Sequence, residues 1–254
     1  MRLENRVAVV TGGSRGMGRA CCIALAQEGV SVIVNYNQSK AEADEVVVII
    51  QSTGGKALAV QADVSQDSEA RMLIQSAVEN FGRLDILVNN AGWTKRTPHK
   101  ELELLSDEII EKTLAINTKA PLYCIRAAIP LMQKNGDEGG SIVNITSVAG
   151  RMGGGSSIIY GGSKAALTVM TKSLARAFAP NIRINAVAPG MVDTGFGDWP
   201  RADVEGAKDR GHINRLVTVE DVAKMVLFLV TDGNALTGEE LVVDGGILTL
   251  GIRC

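Results

Sequence analysis

Seven short runs of β-branched and apolar residues recur along the chain: Val7–Val10, Val32–Val34, Ala57–Val60, Ile86–Val88, Ile142–Ile145, Ile184–Val187 and Leu241–Val243. They do not alternate apolar with polar, as a strand with one solvated face would. A mostly continuous apolar run is what a strand buried on both faces requires. Between them lie six stretches with helical character: Gly18–Glu28, Ser39–Ser52, Ser68–Asn80, Asp107–Gln133, Tyr160–Phe178 and Val219–Thr231. Strand–helix alternation of this kind predicts an α/β fold, a doubly wound parallel seven-stranded sheet with helices on both faces. No linker, low-complexity block or internal repeat divides the 254 residues, so residues 1–254 read as a single domain.

Composition narrows the function classes. With 26 basic and 28 acidic residues the formal net charge is −2, which gives no electrostatic footprint for nucleic acid. Apolar runs such as Val46–Ile50 and Met225–Val230 are far short of the roughly 20 residues that span a bilayer. A polar pentapeptide opens the chain, and a secretory leader is not expected. Cysteines at 21, 22, 124 and 254 include no CxxC spacing, and the adjacent pair in a predicted helix reads as buried thiols. A reducing cytoplasm fits this usage. His99 and His212 have no ligand-spaced partners; they read as surface residues, and no metal site is expected.

The first strand runs into Thr11-Gly-Gly-Ser-Arg-Gly-Met-Gly18 and then directly into a helix. Glycines there permit a tight turn and let phosphate oxygens approach backbone N–H groups, and the helix N-terminus adds partial positive charge. The spacing is GxxxGxG, with Gly12, Gly16 and Gly18. Two segments break the strand–helix rhythm: Lys95–Leu104, and Gly190–Asn214, which is long for a connection. Both follow strand ends, where open α/β sheets bind ligands, and the longer one is expected to be a substrate lid.

Further motifs follow in order: Asn89-Asn-Ala-Gly92, Asn117, Ser147, Tyr160-Gly-Gly-Ser-Lys164, Pro189-Gly190 and Asp244-Gly-Gly246. In order and spacing the whole series resembles the short-chain dehydrogenase/reductase family, in its compact branch of 3-oxoacyl-carrier-protein reductases and related ketone and sugar dehydrogenases. The resemblance covers essentially the whole chain and implies a Rossmann-type fold. Tyr160 and Lys164 are four apart and share a helix face. A free tyrosine, with a pKa near 10, is a poor base at neutral pH, and a neighbouring ammonium favours its phenolate. The family resemblance implies Tyr160 as acid/base, Ser147 as the group polarising the substrate oxygen, Lys164 as modulator and ribose ligand, and Asn117 as holder of a relay water.

The resemblance also implies a nicotinamide cofactor. Its phosphates would lie on Gly12, Ser14, Arg15, Gly16, Met17 and Gly18. Its adenosine side would meet Asn35, Asp63, Val64, Asn90, Ala91 and Gly92. Its nicotinamide side would meet Tyr160, Lys164, Pro189, Gly190, Val192 and Thr194. Enzymes preferring NAD usually end the second strand with an acid. Here Asn35-Tyr-Asn37 stands there, and Arg15 lies where the family often sets a cation against a 2′-phosphate, so NADP is expected and NAD is the alternative.

The helix from Tyr160 carries Ala165, Ala166, Leu167, Val169, Met170, Leu174, Ala175, Ala177 and Phe178, an apolar surface wider than one stripe. With Leu114–Met132 it resembles the family's intersubunit bundle, and Ile247–Ile252 offers more apolar surface. A homotetramer is expected, with a homodimer as the simpler assembly. Trp93, Ile158, Ile159, Met191, Phe196 and Trp199 flank the expected pocket and favour a small or medium ketone. The alternative is a 3-oxoacyl-[acyl-carrier-protein] reductase, against which Lys134-Asn-Gly-Asp-Glu138 stands where those reductases tend to be basic. A non-catalytic NADP-sensing protein is the reading from another class; it would be expected to lack one of Ser147, Tyr160 or Lys164.

Overall fold

All seven expected strands are present in the computed structural model, which describes residues 3–253. Met1, Arg2 and Cys254 fall outside the described residues, as does part of the expectation about the chain's start. The strands are β1 (Val7–Val10), β2 (Ser31–Tyr36), β3 (Ala57–Gln61), β4 (Ile86–Asn89), β5 (Gly140–Ile145), β6 (Ile182–Pro189) and β7 (Glu240–Val243). They form one parallel sheet in the order β3-β2-β1-β4-β5-β6-β7. The chain winds outward from β1 to β3, returns to the middle, and winds the other way from β4 to β7. This is the doubly wound Rossmann-type arrangement, with its switch point between β1 and β4, where a crevice opens beyond the strand ends.

Successive residues of a strand point to opposite faces, and the core divides accordingly. Ala8 and Val10 of β1, Val32 and Val34 of β2, and Ile86 and Val88 of β4 pack on one side. Helices α1 (Gly16–Gln27), α2 (Lys40–Ser52) and, later in the chain, 219–230 cover them. Val7, Val9, Ile33 and Leu87 point the other way, under α3 (Asp67–Phe81) and the helices spanning 120–133 and 158–178. Cys21, Cys22 and Cys124 are buried free thiols in these two layers, and burial pushes Cys21 and Cys124 up to about 12.

Three segments differ from expectation. The stretch 107–133 is not one α-helix: α4 (Asp107–Leu114) passes through a π-helical turn, Ala115–Lys119, into α5 (Ala120–Gln133). The turn widens where the polar Asn117 is directed inward and is fully buried. A short α6 (Ala149–Met152) precedes α7 (Ile158–Phe178), whose first turn is capped by Ser157 accepting from the Tyr160 N–H at 3.2 Å. The long segment after β6 contains a helix, α8 (Arg201–Arg210), of which only Val204 and Ala207 are buried; its sequence carries too few apolar residues to show a stripe. Then come α9 (Val219–Val230), started by a Thr218–Asp221 capping box, and α10 (Ile247–Leu250). Leu250 and Ile252 are exposed, as is Val169 on α7. No helix among the described residues is long and apolar enough to cross a membrane.

Candidate active site

The glycine loop is pinned from three strands. Thr11 Oγ accepts from the Asn90 and Ala91 N–H groups, both at 3.0 Å. The Asn90 side-chain amide donates to the carbonyls of Thr11 and Gly12 at 2.9 and 3.0 Å. From β2, Asn35 Oδ1 accepts the Gly12 N–H at 3.0 Å while Nδ2 reaches the Val60 and Ala62 carbonyls at 3.3 and 3.1 Å. Gly12 and Gly16 have φ of +61° and +55°, a region that favours glycine. Gly18 allows the closest approach: a Cβ there would lie 2.2 Å from the Gly12 carbonyl oxygen.

This loop suits a phosphate-bearing ligand. Helix α1 begins without a side-chain cap, which leaves its first N–H groups without a capping side chain. Thr194 sits over Gly16, with its methyl group 3.4 Å from where a Cβ would stand. Arg15 is exposed and makes no ion pair among the described residues, whereas Arg19 is held by Glu45 at 2.9 Å. Ser14 and Val64 are buried and Met17 is half-buried. Asp63 accepts from the N–H and hydroxyl of Ser65 on one oxygen only. Gly190 donates its N–H to the Val243 carbonyl, Pro189 accepts from the Val148 N–H, and Val192 bridges to Val217. Asn35 differs from expectation. It is 2% exposed and its amide is directed to backbone groups inside the protein rather than outward to the crevice.

At the end of β5 three consecutive residues meet the site. Ile145 accepts from Lys164 Nζ at 2.8 Å through its carbonyl, Thr146 is buried, and Ser147 acts on the Tyr160 phenol from beside it. Lys164, 3% exposed, lies 5.9 Å from the centre of the Tyr160 ring. Burial pulls Lys164 down to about 8 and pushes Tyr160 up to about 12, with Ser147 opposing the latter. In the protein alone, then, burial outweighs any help the ammonium gives the phenolate. Gly92 lies against this cluster: a Cβ on it would stand 3.7 Å from Lys164 Nζ and 3.5 Å from Asn117 Oδ1, ordinary contact distances.

Asn117 is brought to this cluster, with its side chain committed. It accepts from the Trp93 N–H at 2.8 Å and donates to the Trp93 carbonyl and to Ser163 Oγ at 2.9 and 3.0 Å. Trp93 is thereby fixed at the backbone, and Lys112 Nζ lies 4.7 Å from its ring centre. Phe196 stands across the mouth with its ring 6.0 Å from that of Tyr160. Trp199 stacks with Arg96 at 5.3 Å, and Arg96 also reaches Asp203 of α8 at 3.4 Å. His212 is exposed as expected, whereas His99 is half-buried with Nε2 enclosed and unpartnered. That Thr11 and Asn35 lock the loop is not legible from residue type: a hydroxyl and an amide beside a turn look the same whether they face solvent or backbone.

An open parallel sheet, a phosphate-accepting loop at its switch point and a Ser–Tyr–Lys cluster beside that loop define a nucleotide-dependent oxidoreductase architecture. Comparison with known proteins agrees. A family model described as enoyl-(acyl carrier protein) reductase matches residues 12–248. An uncharacterised oxidoreductase of Methylorubrum extorquens is 41% identical over 252 residues, covering 97% of this chain and 99% of that protein. A 3-oxoacyl-[acyl-carrier-protein] reductase of Synechocystis is 39% identical over 249 residues, covering 97% and 98%. A short-chain dehydrogenase of Burkholderia cenocepacia, solved in complex with NADP, superposes with a TM-score of 0.89 at 35% identity, covering 96% and 98%. The chain belongs to the short-chain dehydrogenase/reductase family.

Proposed function

We propose that this oxidoreductase, as a single dinucleotide-binding and catalytic domain, transfers hydride between NADP(H) and a small or medium ketone or secondary alcohol, with Tyr160 as acid/base. The observation that carries this is the convergence of Ser147, Tyr160 and Lys164, with Gly92 beside them. Bound NADPH supplies the hydride. The chain's own part is the proton. A buried Tyr160 held up at about 12 is a neutral phenol at neutral pH, the form that gives a proton to a carbonyl oxygen as the carbon is reduced. Ser147 positions that oxygen. Lys164, at about 8, sits in the range where it can return a proton to the site. Asn117, the expected holder of a relay water, has its amide bonded to Trp93 and Ser163 and so steadies the wall beside Lys164.

The unpaired Arg15 and the absence of a carboxylate at the end of β2 favour NADPH over NADH. Asn35 enters this argument through what it is not, since its amide holds the loop. The exposed apolar side chains of α5 and α7, Leu122 and Val169, suit packing against a second copy in a cytoplasmic homotetramer, which light scattering tests. A second reading, reduction of a 3-oxoacyl-[acyl-carrier-protein], is favoured by the name of the Synechocystis relative. The experiment is initial rates of NADPH against NADH oxidation with β-ketoesters, diketones, cyclic ketones and a 3-oxoacyl thioester. Free ketones reduced and the thioester ignored support the first reading; comparable thioester rates support the second. Tyr160→Phe should abolish turnover and keep cofactor binding. Turnover retained in that variant overturns the assignment of Tyr160.

A further inference from the structure

We propose that Glu240, the first residue of β7, is a positioning residue that holds the strand end bearing Ser147 and the helix bearing Lys164 in one frame. Its carboxylate is enclosed, with the side chain 6% exposed. One oxygen, Oε1, accepts two hydroxyl hydrogen bonds, from Thr146 at 2.7 Å and Thr168 at 2.6 Å. The other, Oε2, lies 3.7 Å from Arg151 Nε. Thr146 directly precedes Ser147. Thr168 stands one helical turn beyond Lys164 on α7, and Arg151 is on α6, the helix that leaves Ser147. A single side chain on the neighbouring edge strand therefore grips three segments around the Ser–Tyr–Lys cluster.

The two threonines do not need Glu240 for satisfaction. Thr146 Oγ is 3.1 Å from the Val187 carbonyl, and Thr168 Oγ is 3.1 Å from the Lys164 carbonyl. Each hydroxyl has one proton, and the carboxylate draws both away from these nearer-in-chain acceptors. Enclosing a carboxylate costs several kcal/mol unless partners compensate, and a valine or threonine would fill an edge strand without that cost. What Glu240 adds is a fixed distance between β5, α6 and α7. Its removal leaves no orphaned donor, because both hydroxyls fall back on the carbonyls beside them, so truncated variants are expected to fold.

This role rests on the proposed reaction and is tested with and without turnover. Glu240→Ala should lower kcat about tenfold, in the range that small misplacements of reacting groups produce, with KM and the NADPH dissociation constant within about twofold of wild type. Glu240→Gln, whose amide oxygen still accepts both hydroxyls, should recover most of the loss. Tyr160 is titrated by its near-ultraviolet phenolate absorbance as a difference against Tyr160→Phe. Its midpoint should move further up in Glu240→Ala, because Ser147, which opposes the upward push, is no longer held in place beside it. If Glu240→Ala does not fold, Thr168→Val should show the same directions more weakly. An unchanged kcat overturns the proposal. So does a loss in which kcat, KM and cofactor affinity fall together while the Tyr160 midpoint stays put. If wild type reduces no ketone, the functional reading falls, and the Tyr160 titration alone still decides for or against Glu240.

Discussion

The two walls of the crevice are built on opposite terms. The glycine loop is held by buried or half-buried side chains, Thr11, Asn35 and Asn90, each bonded to backbone of another strand. The segment after β6 is held at its surface: Arg201 pairs with Asp193 and Glu205, and Arg96 with Asp203, through side chains 42–68% exposed. Breaking a buried hydrogen bond costs about 1–3 kcal/mol, whereas an exposed ion pair contributes about 0–1 kcal/mol. The wall built on the glycine loop is costly to disturb, and the wall after β6 is cheap to rearrange.

That contrast can be broken first at Gly18. Alanine there would drive a methyl group into the Gly12 carbonyl and the Asn90 amide, and it should cost about 3 kcal/mol of stability together with most of the NADPH affinity. Thermal melts and cofactor fluorescence titration measure the two losses. A variant with wild-type affinity would mean the loop is not rigid.

Lys164 lies between the walls, and its burial makes stability depend on pH. The folded pKa of about 8 is below the unfolded 10.5, so between these values the unfolded chain binds more protons and stability rises with pH. Relative to Lys164→Met, wild type should gain roughly 3 kcal/mol as pH climbs from below 8 to above 10.5. Denaturant midpoints of the two proteins across that window should diverge accordingly, and parallel curves would refute the burial argument.

Asn35→Asp tests the rigid wall more subtly. As a cofactor-switching change it would be expected to favour NADH, because it puts an acid at the strand end. Here it would replace a donor facing the Val60 and Ala62 carbonyls with an acceptor. The expected outcome is about 2 kcal/mol of destabilisation and no gain in NADH use. An NADH-preferring, fully stable variant would show that residue 35 can turn outward.

The smallest effect belongs to the other wall. Arg96→Ala frees Trp199 and Asp203, and should change stability by less than about 0.5 kcal/mol while raising KM about threefold and leaving kcat near wild type. Protease nicking after residue 190 should accelerate. A large fall in stability would place this segment with the rigid wall after all.

Strands were the most legible part of this molecule, because parallel strands buried on both faces leave runs such as Val7–Val10 that admit few other readings. The Ser147–Tyr160–Lys164 grouping was legible through spacing and resemblance. What escaped notice has a common cause. Asn35 and Asn117 point inward to main-chain groups, and residue type does not encode direction. The π-helical turn at 115–119 preserves the apolar periodicity on either side, so it reads as unbroken helix. Helix α8 has only two buried residues and no stripe to detect. Glu240 escaped because a carboxylate in an edge strand ordinarily faces water.

The register of the central strands has a consequence for how the chain reaches its native state. The glycine loop is closed by partners far along the sequence: Asn35 is 23 residues from Gly12, and Asn90 is 79 from Thr11. Bringing such distant segments together costs loop-closure entropy before any contact forms, which makes parallel sheets slow to fold. The loop cannot take its final shape until β2 and β4 have both docked against β1. Cofactor binding during refolding therefore reports the completion of the sheet's centre rather than the collapse of its parts, and a ligand that binds only that finished loop acts as a thermodynamic latch on it.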